Sequence, residues 1–553
     1  VKILLCALGV LATLGAVPAH AQGRDDCQEL VLHNGKIATM DARGTMAASA
    51  VIRGDRIASV STARGIPKHE ACARVIDLRG RTVIPGLIDS HNHIVQVSLR
   101  PGRDMREIES AFSIPELQQT IRARAREVGA NDWITAIGGW APAQFVERRM
   151  PTLAELDAAA PNHPVYLQSG FTGPSVTNSK GKAFLEQKGV AVAADGGIAA
   201  NAPSSAAWNA LKALQTDADR LRGATDALTY AARMGLTMSV DKGGSWPADT
   251  EGAKGLALLG PGASNEVNPF TAYEPLVALS RDGRMPVRVR LFFYMQDLTP
   301  QVPFLTARLN NQFIDFGSDW LRVSGVGERI HAASAPPEVY EAAVRVTAQK
   351  RWSYDQHAND LADQKNIIAL WEKVNASFPL KDLRWCLAHV PGIDVETLNR
   401  LKALGAGVSS TGGRYQSGTG AQPGSPFRRM LESGIPFGHG GDGGSVAPIS
   451  PWPHLYYLVT GRNSAGEAIE PADQRLTRME ALRVLTVNQG WFTRDEQRLG
   501  SIEPGKLADI VVLNEDFLDP QKVPDDAIRR VRPALTIVGG RIVYESGAGS
   551  ATR

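Results

Sequence analysis

Charge of one sign is what this chain has least of. Its 60 Lys and Arg stand against 57 Asp and Glu, a formal net charge of +3 over 553 residues, and no block of Lys or Arg occurs. That balance argues against a nucleic acid or an anionic membrane as partner. Cysteine is scarce, with four in the chain. There is no short internal repeat and no extended low-complexity tract. What remains is an ordinary globular composition, 43% apolar, on a chain long enough to bury a large core.

The first 21 residues differ from the rest. Lys2 supplies a positive start, Ile3 to Val17 is apolar, and Ala19-His20-Ala21 places small residues at the two cleavage-determining positions. This reads as a secretory signal, residues 1–21, with cleavage expected before Gln22. The stretch is short for a bilayer span, and Cys6 comes too early for a lipoprotein site. The mature protein is therefore expected in the periplasm or secreted, with no membrane attachment. Cys27 and Cys72 flank one small β unit and are a candidate disulfide in an oxidising compartment. Cys386, among apolar neighbours, reads as a buried thiol rather than a nucleophile.

From Glu29 to Asp77 short alternating segments are separated by Asn34-Gly35, Gly54-Asp55 and Arg79-Gly80, the pattern of a small antiparallel unit. The texture returns in Ala508–Leu513 and Thr536–Tyr544. Two β-rich ends suggest one β-sandwich built from both termini, residues 22–84 and 498–553. Between them, strand-like runs (Pro164–Leu167, Leu236–Val240, Val287–Phe293, Ile435–Phe437) alternate with helical stretches. The expected fold is α/β: a (β/α)8 TIM-like barrel over residues 85–497, with insertions.

The most informative stretch is His91-Asn92-His93 after the apolar run Val83-Ile84-Pro85-Gly86-Leu87-Ile88-Asp89-Ser90. A run that apolar and that short reads as a strand buried on both faces. Side chains alternate along a strand, so His91 and His93 point to the same side and can hold one metal ion from a rigid element.

Pro85–His93 resembles the first-strand signature of the amidohydrolase superfamily, metal-dependent hydrolases on a (β/α)8 barrel, and Gly500–Asp509 resembles its C-terminal signature. The rest is similar to the branch containing N-substituted formamide deformylases and related to D-aminoacylases. On that resemblance His357 and His389 correspond to the fifth- and sixth-strand histidines, and Asp442, within Gly438–Ser445, to the eighth-strand Asp. Taken alone, that glycine density suggests a turn or a phosphate-cradling loop, but the Lys-Ser/Thr ending of a P-loop is missing. His439 ranks as a neighbour of the ligands or a substrate-facing group, as do Trp140 and Arg322. Neutral imidazoles and a carboxylate suit a divalent ion, zinc above all, with a position left for water; Asp442 would shuttle the proton.

One departure stands out. Many members of the superfamily carry a carbamylated Lys that bridges two metals, and Leu321–Glu328, the nearest equivalent, has none. Arg322 cannot substitute, because guanidinium stays protonated. Glu328 could supply the carboxylate, as could Asp241 beside Lys242. Neighbouring residues on a strand face opposite ways, so Glu328 fits only if that strand is bulged or shifted by one residue. One ion is the favoured expectation, two the alternative.

The expected activity is hydrolysis of a C–N bond in a small amide, formamide, N-acyl amino acid or cyclic amide. An ester, carbamate or lactone hydrolase is the rival, because the same chemistry attacks those carbonyls, and a metal-binding relic without catalysis is the alternative of another class. The expected partner is a small-molecule substrate, with a homodimer as the possible assembly. Substrate identity depends on loops 141–150, 172–182 and 243–272, where Trp140, Phe171, Trp246 and Tyr273 are candidate pocket aromatics.

Overall fold

Eight strands carry the middle of the chain: Leu87–Asn92, Leu236–Asp241, Arg288–Phe293, Leu321–Val326, Asp355–His357, Cys386–Ala388, Gly407–Thr411 and Phe437–Gly440. In this computed structural model, which describes residues 27–243, 272–331 and 335–547, they form two parallel ladders of four, each strand beside its predecessor. Parallel bridges between Val326 and Tyr354 and between Asn92 and Gly443 join the ladders at both edges. The strands thus run as a closed ring. The expected leader and Trp246 lie outside the described residues, with nearly all of the 243–272 loop.

A parallel connection needs a crossover, and each step around the ring contains at least one helix: Asp217–Arg233, Glu274–Arg281, Pro303–Asn311, Pro337–Gln349, Leu361–Asn375, Val395–Ala403 and Phe427–Glu432 in turn. Their starts are written locally. Thr216, Asp360 and Asp394 each accept a backbone N–H of the first turn with their side chains, satisfying donors the helix cannot. Strand and helix side chains meet in one apolar core that runs from Leu87 through Tyr354, Trp371 and Trp385 to Trp452.

Strands from near both ends of the described residues pair with one another. Ile510–Leu513 pairs antiparallel with Thr82–Pro85 in a six-stranded sheet. A four-stranded sheet of residues 29–77 packs against it over a separate core that includes Leu32, Ile52, Val83, Ile510 and Ile537. Cys27 and Cys72 are joined by a disulfide, with Cα atoms 5.7 Å apart. Asp509, from the C-terminal signature, clasps Arg288 of the ring through two hydrogen bonds of 2.9 Å.

One expected element belongs elsewhere. The Pro164–Leu167 run forms Val165–Gln168, which joins no ring strand. It lies in a five-stranded sheet of residues 103–198, parallel to Ile134–Ile137 and antiparallel to Ser175–Thr177. An apolar run specifies burial, and a second core, around Ile134, Trp140 and Leu167, can supply it as well as the ring can.

Candidate metal centre

The ligand-bearing end of the ring gathers six side chains from the ends of five strands. His91 is the penultimate residue of the first strand and His93 follows it; His357 closes the fifth, His389 follows the sixth, and Asp442 follows the eighth. Between them sits Glu328, whose Oε2 is 3.3 Å from His91 Nε2, 3.0 Å from His357 Nδ1 and 3.2 Å from His389 Nε2. Its Oε1 is 3.6 Å from His93 Nε2. Asp442 Oδ1 lies 3.1 Å from His93 Nε2 and 3.9 Å from His91 Nε2, with Oδ2 3.8 Å from His389 Nδ1.

Glu328 stands two residues past the end of the fourth strand, Leu321–Val326, whose ladder with the third is bulged. Leu291 pairs with Val323 but Phe292 pairs with Gly325, so Ser324 is the extra residue. An extra residue reverses the facing of the strand residues after it, here Gly325 and Val326, and the chain leaves the strand at Gly327 before it reaches Glu328. Gly327 then takes φ +131°, and a Cβ there would sit 2.1 Å from the Asp355 carbonyl; only glycine fits. On the eighth strand, a Cβ on Gly440 would come within 2.5 Å of the His91 backbone and Cβ. The glycine-rich segment is thus shaped by close approach to the first strand, where Asp442 N donates to His91 O at 2.7 Å.

The backs of the rings are held as well. His93 Nδ1 bonds to Gly243 O at 2.9 Å, His389 Nδ1 to Thr411 Oγ1 at 2.7 Å, and His357 Nε2 to Asn359 Oδ1 at 2.7 Å. His357 therefore turns Nδ1 to the centre and the other three histidines turn Nε2. These outer partners were not anticipated from the sequence, although Asp355 and Asn359 stand two residues either side of His357.

The donor set fits a divalent cation. Both nitrogens of His91 are fully buried with no hydrogen-bond partner among the described residues, a costly arrangement for protein groups alone. Suitable donor atoms cluster as His91, His93 and Glu328, as Glu328, His357 and His389, and as His91, His389 and Asp442. The first two groups share only Glu328. Charge is distributed to match. Burial opposes ionisation of Glu328, yet the surrounding histidines, His357 foremost, hold its carboxyl well below the usual range. Asp442 is likewise lowered against burial by its hydrogen bond to His93 and the charge of its imidazole neighbours. Burial also opposes the charged form of His93, but Asp442 and Glu328 together raise it to about 10.

The remaining candidates lie elsewhere. Arg322 stands at the opposite end of the fourth strand, where its guanidinium bonds Asp495 at 2.8 Å and the Thr493 carbonyl at 2.9 Å. The strand from Arg322 to Val326 separates it from Glu328. Trp140 is core: it packs on Phe145 and donates to the Ala136 carbonyl within the residue 103–198 unit. His439 is buried between the eighth strand and the helices that carry Phe427, His454 and Tyr457, bonded through Nδ1 to Ser410 Oγ at 2.8 Å; burial disfavours its charged form. Asp241 accepts the backbone N–H groups of Val95 and Gly243, both at 2.8 Å, so it organises loops and leaves the carboxylate position to Glu328. Phe171 is exposed and Tyr273 packs against Phe293. Cys386 is buried, and that burial pushes its thiol well up, which suits no nucleophile.

The chain is similar to N-substituted formamide deformylase from Arthrobacter pascens, 26% identical over 94% of this chain and 98% of that protein. Among solved structures, an uncharacterized metal-dependent hydrolase from Pyrococcus horikoshii OT3 superposes with a TM-score of 0.56 at 18% identity, covering 89% of this chain and 98% of the other. Atrazine chlorohydrolase from Arthrobacter aurescens TC1, complexed with zinc, gives 0.52 at 16% identity over 93% and 95%. Both structural likenesses speak for the fold. The family model described as "Amidohydrolase family" matches residues 74–544, and the chain belongs to that family, a metal-dependent hydrolase acting on carbon–nitrogen bonds.

Proposed function

We propose that the protein hydrolyses the C–N bond of a small amide, formamide, N-acyl or cyclic amide, with His91, His93, His357, His389 and Glu328 holding the metal and Asp442 moving the proton. The observation that carries this reading is the pair of donor groups meeting at Glu328, with His91 buried and without a hydrogen-bond partner among the described residues. A divalent ion bound there, zinc for preference, would supply hydroxide near neutral pH and polarise the carbonyl. Asp442, ionised and beside His93, takes a proton from the nucleophile and returns it to the departing nitrogen, which leaves poorly until protonated. Glu328 at the shared position is compatible with one ion or with two, and it reopens the expectation of one. The formamide deformylase likeness points to a formamide or related amide.

In this reading the ring is a (β/α)8 barrel over residues 85–497, and the two outer sheets form a β-sandwich from residues 22–84 and 498–553. The leader makes the protein an exported one; N-terminal sequencing of protein from its native cell should begin at Gln22, and a mature chain retaining residues 1–21 would overturn this. The functional test is a panel of amides, esters and lactones assayed with the protein as isolated, after chelation, and after zinc is restored. Amide turnover that stops and returns supports the proposal. Turnover of esters or lactones alone would move the activity to that class, and turnover indifferent to chelation would sink it.

A further inference from the structure

Three of the four imidazoles at the centre have a hydrogen-bond partner behind them; His91 has none among the described residues. What lies behind His91 is a carboxylate: Asp355 Oδ1 is 3.7 Å from His91 Nδ1 and is itself buried without a hydrogen-bond partner. The other oxygen of Asp355 is bound to Lys242 Nζ at 2.9 Å. Lys242 is as buried as Asp355, each side chain 2% exposed, and its ammonium rests on the Phe292 ring, 3.6 Å from the centroid. The backbone of Lys242 is tied to the first strand, its N–H donating to Asn92 O at 2.7 Å. A buried ammonium is expensive, and in this place it does one thing: it fixes the orientation of a carboxylate whose free oxygen faces a histidine.

We propose that Lys242 and Asp355 are positioning residues for His91. Asp355 Oδ1 accepts the Nδ1–H of His91, which leaves Nε2 bare and aimed at the centre, and Lys242 holds Asp355 so that it stays behind the ring instead of swinging to the cation. The 3.7 Å separation exceeds a formed hydrogen bond; it closes when His91 is engaged from its Nε2 side. Carboxylates behind metal-binding histidines set ring orientation and basicity in general, and their loss lowers metal affinity by about 10–100-fold. The arrangement draws on the ends of three ring strands: the first through His91, the second through Lys242, the fifth through Asp355. No local sequence pattern links the three.

The inference rests on the metal-dependent reading of the site. Its test measures Zn²⁺ affinity by chelator competition, together with the visible absorption of the Co²⁺-loaded protein, for wild type, Asp355→Asn, Lys242→Met and the double variant, each checked for folding by circular dichroism. Asp355→Asn should bind zinc about 10–100-fold more weakly and shift the Co²⁺ bands at full occupancy, a change that lost packing elsewhere would not produce. Lys242→Met should fall between wild type and Asp355→Asn, and the double variant should match Asp355→Asn, because Lys242 acts only through the carboxylate. Asp355→Asn with zinc affinity within threefold of wild type and unchanged Co²⁺ bands overturns the proposal. A double variant weaker than Asp355→Asn by the full Lys242→Met factor overturns the linked arrangement. If Lys242→Met does not fold, the Asp355→Asn result decides. Wild type that takes up no metal would sink the functional reading itself, a different outcome from metal-binding wild type with indifferent variants.

Discussion

Replacing Glu328 by Gln keeps the size of the side chain and removes one negative charge from the middle of four imidazoles. The carboxylate oxygens lie between 3.0 and 3.6 Å from the nearest nitrogen of each ring. Unit charges at about 3.3 Å attract by roughly 5 kcal/mol at an effective dielectric constant of 20, and a divalent ion doubles the gross figure. Desolvation cancels part of this; breaking a buried pair by removing one partner costs about 3–5 kcal/mol net. At 1.4 kcal/mol per decade that is a loss of metal affinity of two to three and a half decades. Metal analysis after dialysis, with chelator competition for affinity, reads both stoichiometry and strength. Two tight equivalents falling to one would identify Glu328 as the bridge between ions, whereas a single equivalent bound at least ~100-fold more weakly would make it a ligand of one. Unchanged stoichiometry with affinity within threefold would refute the reasoning, because a carboxylate so placed could not then be contributing.

Asp442→Asn should retain metal near the wild-type level while turnover drops by at least ~100-fold; near-normal turnover in a steady-state assay would assign the proton to another group. His93 is raised from its usual value near 6.5 to about 10, so in the metal-free protein its stabilising charge is complete below 6.5 and is lost as pH rises through about 10. Metal must displace that proton. Zinc titration in weak buffer should release protons, and apparent affinity should climb with pH toward 10; a flat pH profile would contradict the assigned shift. At the far end of the ring, Asp495→Ala would leave Arg290 and Arg322 without the carboxylate they share at 3.1 and 2.8 Å, costing about 3–5 kcal/mol. Urea unfolding should register it, and an unchanged midpoint would show that those guanidiniums find other partners.

Much of the site was legible in the sequence because it depends on local periodicity. Strand alternation alone puts His91 and His93 on one face, and the apolar run before them marks a strand buried on both sides. His357, His389 and Asp442 were legible in another way, through the resemblance of their segments to the amidohydrolase superfamily. The two β-rich termini, too, could be matched by texture before their pairing was known. Arg322 and Trp140 show the limit: closeness in sequence to a site residue or a loop says nothing about which end of a strand, or which of two cores, a side chain occupies.

Glu328 shows what tertiary structure alone decides. By strand parity it should face away from the histidines, and parity fails because the strand carries an extra residue, Ser324, in its ladder with Arg288–Phe293 and ends at Val326, with Gly327 turning the chain before Glu328. A bulge is a property of two strands in register, so a single strand's sequence does not announce it. The same holds for Lys242, Asp355 and His91, which are separated by up to 264 residues and meet only because the ring closes. The sequence by itself determined the elements, their burial and most of the donor atoms. Closure of the ring and the register of its fourth strand decided which carboxylate stands between them, because contacts across strands depend on packing and not on neighbours along the chain.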